Sequence, residues 1–311
     1  MKILALDSSG LVASVAVVED EKLLAEYTVN YKKTHSQTLL PMLDEIGKMI
    51  DLDLSSIDAI AVAAGPGSFT GLRIGSATAK GLGLALDKPL IAVPTVDALA
   101  YNLYGTDKLV CPLMDARRNQ VYTGVYAFDD RTLKVLKPQM AVSVEELTEM
   151  LNEMGQEVLF LGDGVPVYQK LIDERMKVPF HYVPAHLNKQ RAAAVAALAE
   201  IYFREGKTEH ARDHQPDYLR LSQAERERAE AEKKAAENGA CLPFDRWKKK
   251  IFHRWQPSRL LFFHSPGVSR GFAMPLCRRT AFIWWQQKRR RSWAIVVFIN
   301  PLMRRISPMW R

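Results

Sequence analysis

The sequence predicts an α/β protein of two lobes followed by a tail of unlike character. Three observations carry that prediction. Strand-like and helical runs alternate from the first residues, and part of that order recurs after residue 105. Composition then breaks near residue 240. Residues 1–239 hold 27 Lys and Arg against 34 Asp and Glu, whereas residues 240–311 hold 16 against the single Asp245. All six tryptophans lie between Trp247 and Trp310. The formal net charge of +8 thus sums an acidic body and a basic tail. It does not mark the body as a nucleic-acid binder.

The body is long enough for a substantial core. Of the three cysteines, Cys111, Cys241 and Cys277, one lies in the body, so no disulfide framework is expected and a reducing, cytoplasmic setting is. The chain opens directly on a strand pattern, which predicts no signal peptide. No apolar run reaches membrane-spanning length, Trp293–Ile299 being the longest in the tail.

The elements follow in order. Lys2–Asp7, Val12–Glu19 and Lys22–Asn30 read as strands, the last two joined by a tight turn. His35–Ile50 carries Leu39, Met42, Leu43, Ile46 and Ile50 at helical spacing. Asp58–Ala64 is a short buried strand running into Gly65-Pro66-Gly67-Ser68, and a helix of small residues follows over Gly71–Leu86. Leu90–Val93 is a strand, and Thr95 is expected to cap a helix toward Tyr104, with Asp97 in its first turn. In the second half Lys108–Met114, Gln120–Phe128 and Leu133–Val142 read as strands. Ser143 and Glu146 form a capping box before the helix Val144–Met154. Leu159–Leu161 is a short strand, Gly162-Asp163-Gly164 a turn, and Arg191–Arg204 an alanine-rich helix. The expected division is 1–104, 105–221, a charged helical linker at 222–239 and the tail at 240–311. Ser222–Asn238 mixes both charge signs without an apolar stripe and reads as a solvated segment.

The sharpest motif runs from Gly65 to Gly75, Gly-Pro-Gly-Ser-Phe-Thr-Gly-Leu-Arg-Ile-Gly. Glycines ahead of a helix start leave free N–H groups that suit an anion. The string is neither a P-loop nor a dinucleotide fingerprint, because no Gly-Lys-Ser/Thr follows and position 70 is Thr. The small side of this helix (Gly71, Gly75, Ala77, Ala79, Gly81, Gly83) suits either close packing within the chain or a partner helix. Asp7-Ser8-Ser9-Gly10 is either hairpin turn chemistry or a carboxylate with hydroxyls facing metal and phosphate. His35 lacks a metal-spaced partner, since position 39 is Leu. His181 and His186 read as surface histidines with no carboxylate nearby, Cys111 as core, and Asp115-Ala-Arg117-Arg118 as a lobe-junction turn closed by a salt bridge.

Gly65–Gly75, the opening Ile3-Leu-Ala-Leu-Asp7-Ser8-Ser9, Met114-Asp-Ala-Arg-Arg118 and Pro216-Asp-Tyr-Leu-Arg220 together resemble the TsaB (YeaZ) family over about residues 1–225. The resemblance implies a two-lobed actin-like, Hsp70-like ATPase fold with ribonuclease H-like lobes. It implies a non-catalytic dimerisation subunit that binds TsaD in making N6-threonylcarbamoyladenosine at position 37 of tRNA. TsaE would join as ATPase partner, a homodimer would form when TsaD is absent, and tRNA would be met indirectly through the complex. No cofactor of its own is implied; ATP or ADP and a metal ion would enter through partners. TsaD carries a His-x-x-x-His metal pair where this chain has Thr95 and Leu99, so threonylcarbamoyl transfer is not expected here. The implied partner contacts are Leu39, Met42, Leu43 and Ile46 with Leu72, Arg73, Ser76 and Lys80. The rival reading is a kinase-like ATPase whose nucleotide phosphate meets Asp7, Ser8, Gly65, Gly67, Ser68 and Thr70.

The tail departs from the family, whose members end near residue 235. A tRNA-binding tail using Lys248–Lys250 and Lys288–Arg291, a membrane-surface segment and out-of-frame translation compete to explain it. So little acid beside so many tryptophans favours the last, and no packed fold is expected after residue 240.

Overall fold

Strand β1 (Lys2–Asp7) is apolar along its length and lies at the centre of a sheet with both faces covered. Two-sided burial asks for such an unbroken apolar run. The structure, a computed structural model, describes residues 1–31 and 34–220, together with the short strands Phe272–Ala273 and Ile283–Trp284, which pair antiparallel. The expectations of a solvated segment at Ser222–Asn238 and of no packed fold after residue 240 fall, those two short strands apart, outside the described residues.

β2 (Ala13–Glu19) and β3 (Lys22–Val29) return antiparallel beside β1 through Asp20 and Glu21, both left-handed as a two-residue hairpin requires. β4 (Ala59–Gly65) and β5 (Leu90–Pro94) add in parallel on the other side of β1. Helix α1 (His35–Met49) precedes β4, and α2 (Phe69–Leu86) joins it to β5. After α3 (Thr95–Tyr101) the plan repeats. β6 (Leu109–Asp115), β7 (Gln120–Asp129) and β8 (Thr132–Ser143) form a meander, and β9 (Val158–Leu161) and β10 (Phe180–Tyr182) run parallel to β6. The two sheets read β3-β2-β1-β4-β5 and β10-β9-β6-β7-β8. Counted within each lobe, both orders are 3-2-1-4-5, that of ribonuclease H-like lobes. The repeat expected from the grammar of the chain is therefore architectural.

The Ser143–Glu146 capping box opens α4 (Val144–Met154) as expected. Thr95 is not a cap. Pro94 takes the N-cap position of α3, and the buried Thr95 hydroxyl accepts from Gly65 N–H at 3.2 Å. Two elements escaped the sequence reading, α5 (Val165–Arg175) and β10. α5 buries only Tyr168 and Ile172, and β10 has three residues, so neither offers a readable period.

The lobe division expected at 105–221 needs correction. The last helix, α6 (Ala192–Arg204), packs on the first sheet. Its Ala192, Val195, Ala196 and Ala199 meet Ile3, Ala5, Ala16 and Ala61, small against small, which lets helix and sheet approach closely. Ser14 Oγ accepts from Ala192 N–H at 2.9 Å, and Glu26 pairs with Arg191 at the helix start. Past α6, Glu209 pairs with Leu90 at the edge of β5. The second lobe thus occupies about 105–190 and is inserted into the first. Among the described residues no helix is long and apolar enough to cross a membrane.

Candidate functional site

The Gly65–Gly75 string is where β4 hands over to α2. Gly65 has φ +130°, a conformation L side chains rarely adopt, and a Cβ there would overlap the Asp217 carbonyl oxygen. A Cβ on Gly71 would overlap the Ser8 carbonyl oxygen, and one on Gly75 would stand 2.6 Å from Ser8 Oγ. Gly71 and Gly75 thus bring the helix start hard against the Asp7–Ser9 turn, while Gly65 meets the segment at Asp217. That turn spends its polar groups on holding it. Asp7 Oδ1 accepts from Ser9 N–H at 2.9 Å and from Ser9 Oγ at 2.6 Å. Ser8 Oγ donates to the Gly71 carbonyl at 2.9 Å. Ser68 N–H donates to the Ser9 carbonyl at 2.7 Å, and Ser68 Oγ accepts from Gly71 N–H at 3.3 Å. Burial pushes the Asp7 carboxyl up to about 6, with the Ser9 bonds pulling the other way.

A cavity of about 870 Å³ opens between the lobes. Ser9 and Gly10, the start of α2, the β6–β7 hairpin tip, Asp163 and residues 217–220 wall it. Of the six expected phosphate contacts, Gly67, Ser68 and Thr70 line this cavity and Asp7, Ser8 and Gly65 do not. Asp7 and Ser8 hold the turn against α2 and Gly65 abuts Asp217, so the six residues do not all face one cavity. His35, half-buried, lines the cavity too. Its Nε2–H donates to the Gly10 carbonyl at 2.9 Å, while Nδ1 is buried without a partner. Asp163 Oδ1 is likewise buried and unpartnered, and burial raises that carboxyl above its ordinary value. The salt bridge expected at Asp115–Arg118 is absent among the described residues. Asp115 Oδ1 accepts instead from Arg117 N–H at 2.7 Å and Tyr168 O–H at 2.9 Å.

The remaining singled-out residues are quickly placed. Cys111 is core, and burial pushes its thiol up to about 12. His181 and His186 are exposed, but Glu157 Oε1 stands 3.1 Å from His181 Nε2, a carboxylate the sequence distance hid. Among the described residues no three His, Cys, Asp or Glu side chains come together to hold a metal ion.

Of the small residues of α2, Gly71, Gly75, Ala79 and Gly83 pack within the chain, whereas Ala77 and Gly81 are exposed. A segment after α6, residues 209–218, lies along the buried side. A Cβ on Gly83 would stand 2.7 Å from Ala211 Cβ. Lys80 Nζ donates to the carbonyls of Arg212 (3.0 Å) and His214 (2.8 Å). His214 Nδ1–H donates to Glu209 Oε1 at 2.6 Å, and its Nε2 is hydrogen-bonded to Ser76 Oγ at 2.9 Å. Serine, histidine and glutamate in that sequence have the spacing of a nucleophile, base and orienter. Yet Ser76 is 4% exposed and does not line the cavity, so no substrate reaches it. The trio is a clamp. Nothing local in the sequence announces it, because Ser76 lies 138 residues from His214.

The expected partner contacts need the same correction. Leu39, Met42, Leu43, Ile46 and Leu72 are in the core of the first lobe, and Ser76 is held by His214. The contacts that the resemblance implies on α1 fall on the apolar stripe that faces its own sheet. Arg73 alone is exposed, with its guanidinium 4.2 Å over the Phe69 ring and Nε donating to Tyr218 Oη at 3.3 Å. Lys80 is half-buried.

Two lobes of one strand order closing on a cleft define the actin-like α/β class, and comparison with known proteins narrows it. The family model described as "TsaD: tRNA N6-adenosine threonylcarbamoyltransferase" matches residues 22–228. The tRNA threonylcarbamoyladenosine biosynthesis protein TsaB of Bacillus subtilis is 35% identical over 236 residues, 75% of this chain and 100% of that protein. The Escherichia coli protein of the same name is 30% identical over 230 residues, 71% of this chain and 95% of its own length. The solved structure of YeaZ from Pseudomonas aeruginosa superposes with a TM-score of 0.61 at 29% identity, covering 70% of this chain and 99% of that one. The chain belongs to the TsaB (YeaZ) family.

Proposed function

We propose that this chain serves tRNA threonylcarbamoyladenosine synthesis as a non-catalytic subunit that docks on the catalytic protein TsaD. The observation that carries this reading lies at residues 95 and 99. Where the resemblance places the metal-binding histidines of TsaD, this chain has Thr95, 0% exposed, and Leu99, 1% exposed. The Thr95 hydroxyl is committed to Gly65 N–H, and Leu99 packs in the core between the lobes. Neither a committed hydroxyl nor an isobutyl group replaces imidazole at a transition metal.

Docking uses the outward faces of α1 and α2, opposite the stripes that hold the core. Leu40 on α1 and Leu84 on α2 are exposed, and Arg73, Ala77 and Gly81 continue the outer side of α2. A Cβ placed on Gly47 or Gly81 meets nothing within 4 Å, so a partner can come close there. An apolar centre with a charged edge, here Asp44 and Lys48, has the make-up of a protein interface. The same face pairs two copies of the chain when TsaD is absent. TsaE joins the assembled complex, which brings ATP or ADP and a metal ion through its partners and presents the tRNA.

The test is co-elution with TsaD on size exclusion. Gly81→Trp with Leu84→Glu leaves the chain's own core untouched and is expected to abolish the complex, with the far-UV circular dichroism unchanged. A double variant that still co-elutes overturns the docking face. Turnover of ATP by the isolated chain overturns the non-catalytic role.

A further inference from the structure

Arg117 and Arg118 stand at the tip of the β6–β7 hairpin, on the wall of the interlobe cavity. Both are exposed, and among the described residues neither has a carboxylate within salt-bridge distance. The tip is held in place from below. Asp115 accepts from Arg117 N–H, Ala116 N–H donates to the Gln120 carbonyl at 3.0 Å, and Arg220 Nη1 donates to the Ala116 carbonyl at 2.8 Å. Tyr31, 71% exposed, and Tyr218, 37% exposed, line the same cavity. Deeper in, Asp163 Oδ1 and His35 Nδ1 are the buried atoms without partners.

The cavity therefore offers two cations on a held backbone tip, the accessible ring of Tyr31 with the partly exposed Tyr218 ring packed beside Phe69, and two unmet hydrogen-bonding groups. An unpaired ribonucleotide strand supplies the complement of each. Its phosphates suit guanidinium forks, its bases stack on tyrosine rings, and its ribose hydroxyls can donate to a carboxylate. A volume near 870 Å³ lies in the range that buries a ligand of nucleotide size. The body as a whole is acidic and repels RNA, so an attraction must be local, and the arginine pair is local. An acidic peptide would use the arginines but leave the rings and Asp163 unanswered.

We propose that this cavity mouth grips an unpaired segment of the RNA substrate directly, with Arg117 and Arg118 on phosphate and Tyr31 under a base. The identity of the strand rests on the tRNA-modification reading above. The test is fluorescence anisotropy of a labelled anticodon stem-loop, titrated with the chain in complex with TsaD over a series of KCl concentrations. Arg117→Asn with Arg118→Asn removes both charges and keeps the left-handed backbone, which Asn adopts readily. It is expected to weaken binding and to lower the slope of log K against log salt by about 1.4, roughly 0.7 per lost phosphate contact. Tyr31→Ala is expected to weaken binding about tenfold with the slope unchanged. Wild-type binding by both variants, an unaltered slope in the arginine variant, or AMP binding as tightly as the stem-loop each overturns the proposal. Complex formation is followed separately by size exclusion. If the wild-type chain and TsaD do not associate, the docking reading falls, and the same titration on the chain alone decides the RNA site, absence of binding overturning it.

Discussion

Replacing His214 with alanine tests the clamp on α2. The imidazole side chain is fully buried and makes two hydrogen bonds, at 2.9 Å to Ser76 and 2.6 Å to Glu209. The first is worth about 1 kcal/mol net, and its loss leaves the Ser76 hydroxyl buried and unmet. The second ends on a carboxylate, where bonds are worth about 1.5–3 kcal/mol, but Glu209 is 34% exposed and recovers part of this from water. The void left behind adds about 1 kcal/mol. The sum is about 3 kcal/mol. Ser76→Ala alone should cost about 1–2 kcal/mol, and the double variant less than the two singles together by about 1 kcal/mol. The measurement is equilibrium urea unfolding followed by far-UV circular dichroism. Tryptophan fluorescence would miss the event, since every tryptophan lies beyond residue 246. A midpoint shift at constant m is the expected form. Additive single effects would show that Ser76 and His214 do not bond, and the clamp would be refuted.

Gly71→Ala drives a methyl group into the Ser8 backbone, which cannot yield, and should destabilise by about 3 kcal/mol or more, whereas Gly81→Ala enters open space on a helix and should stabilise by about 0.5–1 kcal/mol. The pair is read by thermal unfolding, and equal effects would contradict the packing described for α2. Asp7 titrates near 6 when folded against 3.8 for the free group, so the folded state binds the extra proton between those values. Its contribution to stability is full below about pH 4 and declines as pH rises to about 6, by about 3 kcal/mol in all. Asp7→Asn should flatten the stability profile across that window, and an unchanged profile would show that Asp7 is not the titrating group. Ser143→Ala removes the capping box of α4 and should cost about 1 kcal/mol in urea.

The sheets were legible because β1, β2, β4 and β6 are buried along nearly their whole length and because tight hairpins return the more exposed β3 and β8. The capping box at Ser143 was legible because it is local, four residues from end to end. The hidden parts all depend on distance along the chain. The fit of Ala192–Ala199 on Ala5 and Ala16 is invisible until helix and strand are side by side. The glycine string leaves an anion site and a plain turn both open, because its local signal, strand, glycines and helix start, is the same whether the close neighbour is an anion or the Ser8 backbone. The partner contacts that the family resemblance implies fall on the apolar stripe of α1, and periodicity locates such a stripe without saying what covers it. The cavity residues come from both lobes; Ser9, His35, Gly67 to Leu72, Asp115 to Arg118, Asp163 and Asp217 to Arg220 all stand in segments the sequence singles out, but nothing local shows that they face one space.

The return of α6 to the first sheet sets an order on synthesis. That sheet is translated by residue 94, yet the helix that covers its alanine-lined side is finished only at residue 204. At about 5–20 residues per second, the nascent chain presents bare strands for roughly 5–20 s while the inserted lobe emerges. A ribosome-associated chaperone would find its binding window there, and a message broken before codon 204 would yield a polypeptide with an open hydrophobic wound rather than a smaller working protein.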